Sequence, residues 1–243
     1  MNLTNQTILI TGGTSGIGYH LAVRLHENNN KVIICGRRKD RLSEISSAHP
    51  GIDTYVCDME DADQRVMLAE WAINTHPSLN VLVNNAGILH YVDLTKPVDQ
   101  QQLTAEVTTN LIAPIHLSGL MIAHLQKQEN PAIMNVTSGL AFTPIANMPV
   151  YCATKAGMHA FTMSLRHQLK NTSIKVFEII PPAVKTNLGK SDGNDDTGHD
   201  AMDVKEFVEQ VLLVAEQDQY QKGIGIAEGL VAQRDALFDV INH

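Results

Sequence analysis

The sequence predicts an α/β fold: a single-domain, Rossmann-type, doubly wound parallel sheet flanked by helices. Short apolar runs alternate with longer amphipathic stretches along most of the chain. An apolar run without polar alternation is typical of a strand buried on both faces, as in a parallel sheet. Regular strand–helix alternation then implies right-handed crossover connections. Neither a repeat nor a Pro- or Ser-rich linker divides the 243 residues, so we expect one domain over 1–243.

Four strands are expected in the first part of the chain, where short apolar runs follow one another. They are expected at 7–11, 31–35, 54–57 and 80–83. Amphipathic stretches behind the first three strands predict helices at 16–29, 38–48 and 62–75. This order is that of repeated βαβ units.

The alternation continues in the second part of the chain. Two helices are expected between 98 and 128, and one each at 150–170 and 230–241. Strands are expected at 132–136, 174–180 and 223–227. The stretch 191–200 is rich in Asp, Asn and Gly, which favour turns and solvent, so it predicts a loop.

Composition and charge narrow the class of partner. With 44% hydrophobic and 18% charged residues, the chain is typical of a soluble globular protein. The formal net charge of -8 argues against nucleic acid as the main partner. No apolar segment approaches the roughly 18 residues that span a bilayer, and the N-terminus lacks a signal-peptide pattern. We therefore expect a small-molecule partner, and neither a membrane nor a nucleic acid.

The cysteines and histidines indicate the compartment and the absence of a metal site. Three cysteines, an odd number without a C-x-x-C pair, favour a reducing compartment. Eleven histidines include no H-E-x-x-H or other ligand spacing. We expect a cytoplasmic protein without a bound metal.

A glycine-rich turn joins the first strand to the first helix, with the sequence TGGTSGIG at 11–18. Gly12, Gly16 and Gly18 allow the backbone to approach a pyrophosphate, and the helix N-terminus behind them offers unpaired N–H groups. Thr14 or Ser15 can cap that helix. A turn of this kind alone is weak evidence for a ligand, but its place between a strand and a helix predicts a dinucleotide site.

The residues after the second strand indicate which dinucleotide binds. An acidic residue there takes the ribose hydroxyl of NAD, whereas an arginine accommodates the 2′-phosphate of NADP. The chain has no acid at this place but has Arg37 and Arg38, whose guanidinium fork matches phosphate oxygens. We expect NADP(H), with Arg37 as the phosphate ligand and Arg38 assisting, and NAD(H) as the alternative. The other interpretation is a solvated basic cluster at the start of a helix.

A tyrosine and a lysine, Tyr151 and Lys155, are spaced four residues apart and so share one face of a predicted helix. A free tyrosine has a pKa of about 10 and is a poor base at neutral pH. A neighbouring ammonium is expected to lower that pKa, so that Tyr151 can donate a proton to a carbonyl or remove one from an alcohol. Ser138 ends the preceding strand, and Asn110 lies further upstream.

The glycine turn and the order Asn110, Ser138, Tyr151, Lys155 resemble the short-chain dehydrogenase/reductase family. The resemblance covers almost the whole chain and is weakest after about residue 186. It implies that Ser138 orients the substrate oxygen, that Lys155 also binds the nicotinamide ribose, and that Asn110 holds a water in a proton relay. The alternatives are a plain strand-end hydroxyl for Ser138 and a helix cap for Asn110.

Further cofactor contacts follow from the same resemblance. Asp58 resembles the family's adenine contact, with a helix N-cap as its other interpretation, and the run at 84–87 resembles an N-A-G signature. Thr186 resembles a threonine that touches the carboxamide. The complete set of expected cofactor contacts is Gly12, Thr14, Ser15, Gly16, Ile17, Gly18, Arg37, Arg38, Asp58, Asn84, Ala86, Gly87, Tyr151, Lys155, Pro181, Val184 and Thr186.

The resemblance also bears on branch, lid and assembly. Pro182 stands where the family usually has glycine, and the run at 177–182 resembles DltE-like members. A substrate lid is expected at about 186–205, with pocket-lining residues at 89–91 and at Leu140, Phe142, Ile145 and Met148. Members usually associate through the two long helices around the fifth strand, which implies a homodimer, with a homotetramer as the alternative.

The function that these observations predict is an NADP(H)-preferring oxidoreductase. It transfers a hydride between nicotinamide and a carbonyl or alcohol substrate, with Tyr151 as the acid/base. Two alternatives stay open: an NAD-dependent alcohol dehydrogenase of the same family, and a non-catalytic regulator that senses dinucleotides.

Overall fold

The computed structural model describes residues 1–189 and 201–242. In this part of the chain, seven parallel strands form one sheet in the order β3-β2-β1-β4-β5-β6-β7. The strands are β1 Thr7–Thr11, β2 Lys31–Gly36, β3 Ile52–Val56, β4 Val81–Asn84, β5 Ala132–Val136, β6 Lys175–Ile180 and β7 Gln221–Gly223. The helices are α1 Gly16–Glu27, α2 Lys39–Ala48, α3 Ala62–Thr75, α4 Gln100–Val107, α5 Ala113–Leu125, α6 Pro149–Gln168, α7 Val204–Glu216, α8 Ala227–Gln233 and α9 Phe238–Ile241.

The strand order reverses between β1 and β4. From β1 the chain moves outward to β2 and β3, then returns to place β4 on the other side of β1. Connections therefore leave the carboxyl ends of β1 and β4 in opposite directions, which opens the crevice where ligands of such sheets bind. The predicted doubly wound α/β fold is confirmed.

Helices cover both faces of the sheet, and this explains the unbroken apolar runs. Ile8 and Ile10 point into one layer with α1, α2 and α7, whereas Leu9 points into the other with α3, α5 and α6. All three side chains are fully buried, and burying each is worth about 1.5–3 kcal/mol. In the described part of the chain, no helix is both long and apolar enough to cross a membrane.

The structure corrects several predicted bounds after residue 186. Helix α7 was not predicted at all, and its first residue, Val204, lies inside the expected lid. The strand expected at 223–227 lies at Gln221–Gly223 instead, and Ala227 begins α8.

The expected single helix at 230–241 is wrong as well. It breaks after α8, because Arg234 has a φ of 50° in the left-handed region. A 3-10 turn, Arg234–Leu237, leads from there into α9. Near the other edge of the sheet, β3 begins two residues earlier than expected and ends before Cys57.

Candidate active site

The glycine turn lies at the carboxyl end of β1, inside the crevice. Gly12 and Gly16 have φ of 69° and 54°, which side chains with a Cβ rarely adopt. A Cβ on Gly12 would lie 2.8 Å from the Cα of Ala86, and one on Gly16 would lie 3.2 Å from the Cγ2 of Thr186. The turn therefore faces two segments that were predicted to contact the cofactor, and its bare backbone fits a pyrophosphate.

Gly18 has a different role from Gly12 and Gly16. A Cβ there would lie 2.5 Å from the carbonyl oxygen of Gly12 and 2.4 Å from the Nδ2 of Asn85. Glycine at this place lets α1 pack tightly under the turn. Its neighbour Ile17 is partly buried against the core layer that contains α1, α2 and α7.

Asn85, which was not among the predicted site residues, holds the turn in place. Its Nδ2 donates to the carbonyl oxygen of Thr11 at 2.9 Å. The backbone N–H groups of Asn85 and Ala86 donate to the Thr11 hydroxyl at 3.1 and 3.0 Å. Asn84 braces the sheet instead, since its Nδ2 donates to the side chains of Asn135 and Ser118 at 2.8 and 3.0 Å. The doubled Asn in the motif was the available signal, because successive residues at a strand end face opposite sides.

The two arginines after β2 lie differently. Arg38 donates from Nη2 to the hydroxyls of Thr14 and Ser15, at 2.7 Å each, so its guanidinium lies over the glycine turn. Arg37 is 56% exposed, and its Nη1 lies 3.4 Å from the Oε1 of Glu60. Ser15 occupies the N-cap position of α1, but its side chain makes no capping hydrogen bond.

Asp58 follows β3 at the same edge of the sheet. Its Oδ1 accepts from the backbone N–H of Glu60 at 3.1 Å. The N-cap of α3 is Asp61, which accepts from Asp63 and Gln64, so the capping interpretation of Asp58 is wrong.

Asn110 lies in a π-helical turn, Thr108–Ile112, between α4 and α5. Such turns frequently occur at functional sites. The Asn110 amide exchanges two hydrogen bonds of 2.8 Å with the backbone of Ile88, and its Nδ2 donates to the Thr154 hydroxyl at 3.2 Å. Asn110 thus joins the loop after β4 to α6, and it does not cap a helix.

Tyr151, Lys155 and Ser138 come together where β5 ends against α6, and all three are buried. The Ser138 hydroxyl lies close enough to Tyr151 to favour its phenolate form. Ser138 Oγ also accepts from the backbone N–H of Leu140 at 3.1 Å. The ammonium of Lys155 donates to the carbonyl oxygen of Val136 at 2.9 Å and lies 5.6 Å from the centre of the Tyr151 ring.

Burial shifts the two titrating groups in opposite directions. Burial raises the pKa of Tyr151 above its ordinary value of 10, and the hydrogen bond from Ser138 only partly opposes this. Burial also lowers the pKa of Lys155 to about 8. We expected Lys155 to lower the pKa of Tyr151, and this prediction is wrong. Burial of the Tyr151 hydroxyl away from water has the larger effect, and the Lys155 ammonium donates its hydrogen bond to Val136 instead. At neutral pH Tyr151 keeps its proton.

The segment after β6 lies beside the end of β5. Pro181 accepts from the backbone N–H of Gly139 at 3.0 Å. Val184 pairs with Met202 in an isolated parallel bridge, and this fixes the start of the segment that carries Thr186. The residues that follow the carboxyl ends of β5 and β6 are thus neighbours.

The predicted pocket residues divide into two groups. Phe142 is wrong as a lining residue, because it is buried against Ile180 and Ala227 with the Arg234 guanidinium 5.4 Å from its ring centre. The other predicted lining residues are half-buried, namely Leu89, His90, Tyr91, Leu140, Ile145 and Met148.

Part of the expected lid lies outside the described residues, including Asp192, Asp195, Asp196 and Asp200. Asp203 is described, and it caps α7. In residues 1–189 and 201–242, no three His, Cys, Asp or Glu side chains converge as metal ligands would.

Comparisons with known proteins agree with this geometry. A family model described as short chain dehydrogenase matches residues 6–197. DltE of Bacillus subtilis (strain 168), named an uncharacterized oxidoreductase, is 44% identical over all of this chain and 98% of its own length. An alcohol dehydrogenase of Comamonas testosteroni, described as bulky-bulky ketone specific, is 25% identical with a TM-score of 0.79, covering 91% of this chain and 87% of that one. A short-chain dehydrogenase of Sphingobium yanoikuyae in complex with NADPH shares the fold at 24% identity and a TM-score of 0.83, covering 90% and 87%.

Proposed function

The chain is a member of the short-chain dehydrogenase family, and on this premise we propose that it is an NADP(H)-preferring oxidoreductase acting on a carbonyl/alcohol pair. The observation that carries the proposal is the buried, protonated hydroxyl of Tyr151 beside Ser138 and Lys155, at the end of the crevice opened by β1 and β4. A regulator that only senses dinucleotides has no need of such an acid.

Residues of the crevice suit the successive parts of a dinucleotide. The backbone of the turn at 12–18 would hold the pyrophosphate, Asp58 the adenine, Lys155 the nicotinamide ribose and Thr186 the carboxamide. When bound, the nicotinamide supplies or takes up the hydride. The walls between these parts would be shaped by Ala86, Gly87, Pro181 and Val184, while Asn84 supports them from within the sheet.

The side chains at the end of β5 handle the proton. Tyr151 Oη holds it at neutral pH and donates it to the substrate oxygen in the reductive direction. Ser138 donates a hydrogen bond that orients the same oxygen, and the ammonium of Lys155 stabilises the phenolate that is left. Asn110, held by Ile88, supports a water that returns a proton to Tyr151.

The preference for NADP(H) rests on Arg37 and Arg38. Arg38 already lies over the turn, 2.7 Å from the Thr14 and Ser15 hydroxyls. The exposed pair of Arg37 with Glu60 is worth at most about 1 kcal/mol, so a phosphate dianion displaces Glu60 at little cost. No carboxylate stands at the end of β2 to take a ribose hydroxyl.

Fluorescence titration with NADPH and with NADH at one salt concentration tests this proposal. We expect NADPH to bind at least about tenfold more tightly, a difference of about 1.4 kcal/mol. Arg37→Ala and Arg38→Ala should each remove most of that difference. Arg41→Ala is the matched control, because Arg41 belongs to the same basic cluster but pairs with Glu44 on α2. Equal or tighter binding of NADH would favour the NAD-dependent alcohol dehydrogenase instead.

The assembly follows from the same family membership. A homodimer through α5 and α6 is the expected arrangement, with a homotetramer as the alternative. Ile112, Ile115 and Met163 support it, because these apolar side chains are exposed on or beside those two helices.

A further inference from the structure

Three successive residues at the end of β5 are each tied to one face of α6. Ser138 lies beside Tyr151, and the carbonyl oxygen of Val136 accepts a hydrogen bond from Lys155. The residue between them, Thr137, is tied to the same helix only indirectly. Its partner is Glu178 on β6, which in turn meets the next residue of that helical face.

That next residue is His159, four positions beyond Lys155 and eight beyond Tyr151, so it continues the same stripe of α6. Its Nδ1 lies 3.0 and 2.9 Å from the two carboxylate oxygens of Glu178. The Thr137 hydroxyl donates to Glu178 Oε1 at 2.9 Å. Since a carboxylate only accepts, Nδ1 of His159 is the donor.

A carboxylate at this position is unexpected on energetic grounds. Glu178 is 0% exposed and lies within β6 between two buried apolar residues, Phe177 and Ile179. Burying a charge costs several kcal/mol unless partners repay it, and an apolar residue of similar volume is often as stable or more so. His159 also packs its ring 4.5 Å from that of Phe142, in the loop between Ser138 and Tyr151.

We propose that Glu178 and His159 are positioning residues that hold Thr137, and through it Ser138, in register with Tyr151 and Lys155. This inference rests on the proposed function, since it assigns these two residues a role in its catalytic step. Neither residue makes a hydrogen bond to the glycine turn after β1 or to Arg37 and Arg38 after β2. Their loss therefore lowers the turnover rate and leaves cofactor binding unchanged.

Substitutions at Glu178 separate positioning from support of the fold. Glu178→Leu removes the acceptor for Thr137 and the partner of His159 while keeping the volume and the apolar pattern of β6. Glu178→Gln keeps an oxygen for Thr137 and adds an amide that His159 can bond. Arg166→Met is the matched control, because Arg166 also joins α6 to β6, through the Val176 carbonyl at 2.9 Å, but two helical turns further from Tyr151.

Three measurements are made on each full-length variant: kcat and KM with NADPH and p-nitrobenzaldehyde, NADPH affinity by fluorescence, and unfolding by urea. For Glu178→Leu we expect kcat to fall by about 10- to 100-fold, the range that a displacement of ~1 Å in a catalytic group produces. NADPH affinity and stability should stay near those of the wild type. Glu178→Gln should recover most of kcat, and Arg166→Met should lose stability but not kcat.

Hydrogen–deuterium exchange over residues 137–140 measures the positioning without any substrate. Faster exchange in Glu178→Leu than in Glu178→Gln supports the inference. If the wild type does not reduce p-nitrobenzaldehyde, that result counts against the proposed function but not against this inference. The inference is overturned if Glu178→Leu leaves exchange at the end of β5 unchanged. It is also overturned if Glu178→Leu retains full kcat, or if Arg166→Met lowers kcat to the same extent.

Discussion

Tyr151 and Lys155 are both pushed by burial toward their neutral forms. The tyrosine pKa is raised, and that of the lysine is lowered to about 8. A tyrosine that retains its proton is suited to act as an acid toward a carbonyl oxygen. A lysine that titrates close to neutral pH can respond to a nearby phenolate by holding its own proton more firmly. The raised pKa leaves Tyr151 with its proton at neutral pH, which is the form that donates to a carbonyl oxygen.

Lys155→Met tests the shift of the lysine pKa through stability. The charged form is penalised in the folded state, so the penalty is fully present below about pH 8 and is relieved between about pH 8 and the ordinary value of 10.5. We expect the variant to be more stable than the wild type by about 1–2 kcal/mol at pH 7, with a smaller gain at about pH 10. Urea unfolding at the two pH values measures this. If the gain in free energy of unfolding over the wild type were smaller at pH 7 than at pH 10, burial would not depress the pKa of Lys155.

At this scale the sequence predicts residue types better than side-chain directions. Gly12, Gly16, Ser138 and Tyr151 lie where their motifs place them, because those motifs are short and locally determined. The positions of Arg37 and Arg38 were not predictable in the same way, since Glu60 and the hydroxyls of the turn reach them from other elements.

Helix α7 has a start signal and a periodicity that are readable in the sequence. Its buried residues repeat at intervals of three and four, and Asp203 precedes them as a cap. The lid expected at about 186–205 overlaps this start signal, so the beginning of α7 was assigned to a loop. The broken C-terminal helix is a different case, because the left-handed Arg234 follows from contacts of the chain end with the loop after Ser138.

Asp203→Ala should destabilise the protein through α7. The Asp203 carboxylate accepts from the backbone N–H groups of Lys205 and Glu206 at 2.9 and 3.3 Å. Removing such a cap costs about 1 kcal/mol, and α7 buries an entire apolar face against β-strand residues of the core. Thermal unfolding measures the loss, and Asp203→Asn should restore most of it. Equal losses for Ala and Asn would show that the carboxylate acts through charge and not as a cap.

On the scale of the whole molecule, the topology gathers the site. The reversal of strand order between β1 and β4 opens the crevice, and the chain between β5 and β6 carries Ser138, Tyr151 and Lys155. Alternation of strands and helices was sufficient to predict a doubly wound parallel sheet, because the crossover rule leaves few topologies. The substrate could not be predicted in this way, since no motif determines the shape of the pocket.

The assembly is tested by Met163→Glu, which places a charge on the exposed face of α6. Met163 is 51% exposed, and Met67 on α3 is 49% exposed, so Met67→Glu is the matched control. We expect the wild type and Met67→Glu to sediment as homodimers and Met163→Glu to shift toward the monomer by at least about tenfold in Kd, since a desolvated charge at an interface costs more than ~1.4 kcal/mol. Sedimentation velocity measures this. A monomeric wild type would contradict the proposed dimer.

The central claim is that Tyr151 delivers the proton, and the most direct test is a single turnover by Tyr151→Phe. Protein saturated with NADPH is mixed with p-nitrobenzaldehyde, and the loss of NADPH fluorescence is followed. We expect a rate about 100- to 10,000-fold below that of the wild type, the usual contribution of a general acid, with NADPH affinity within about twofold. Tyr55→Phe is the control, because Tyr55 packs against Trp71 outside the site. A Tyr151→Phe protein that turns over at the wild-type rate would contradict the account.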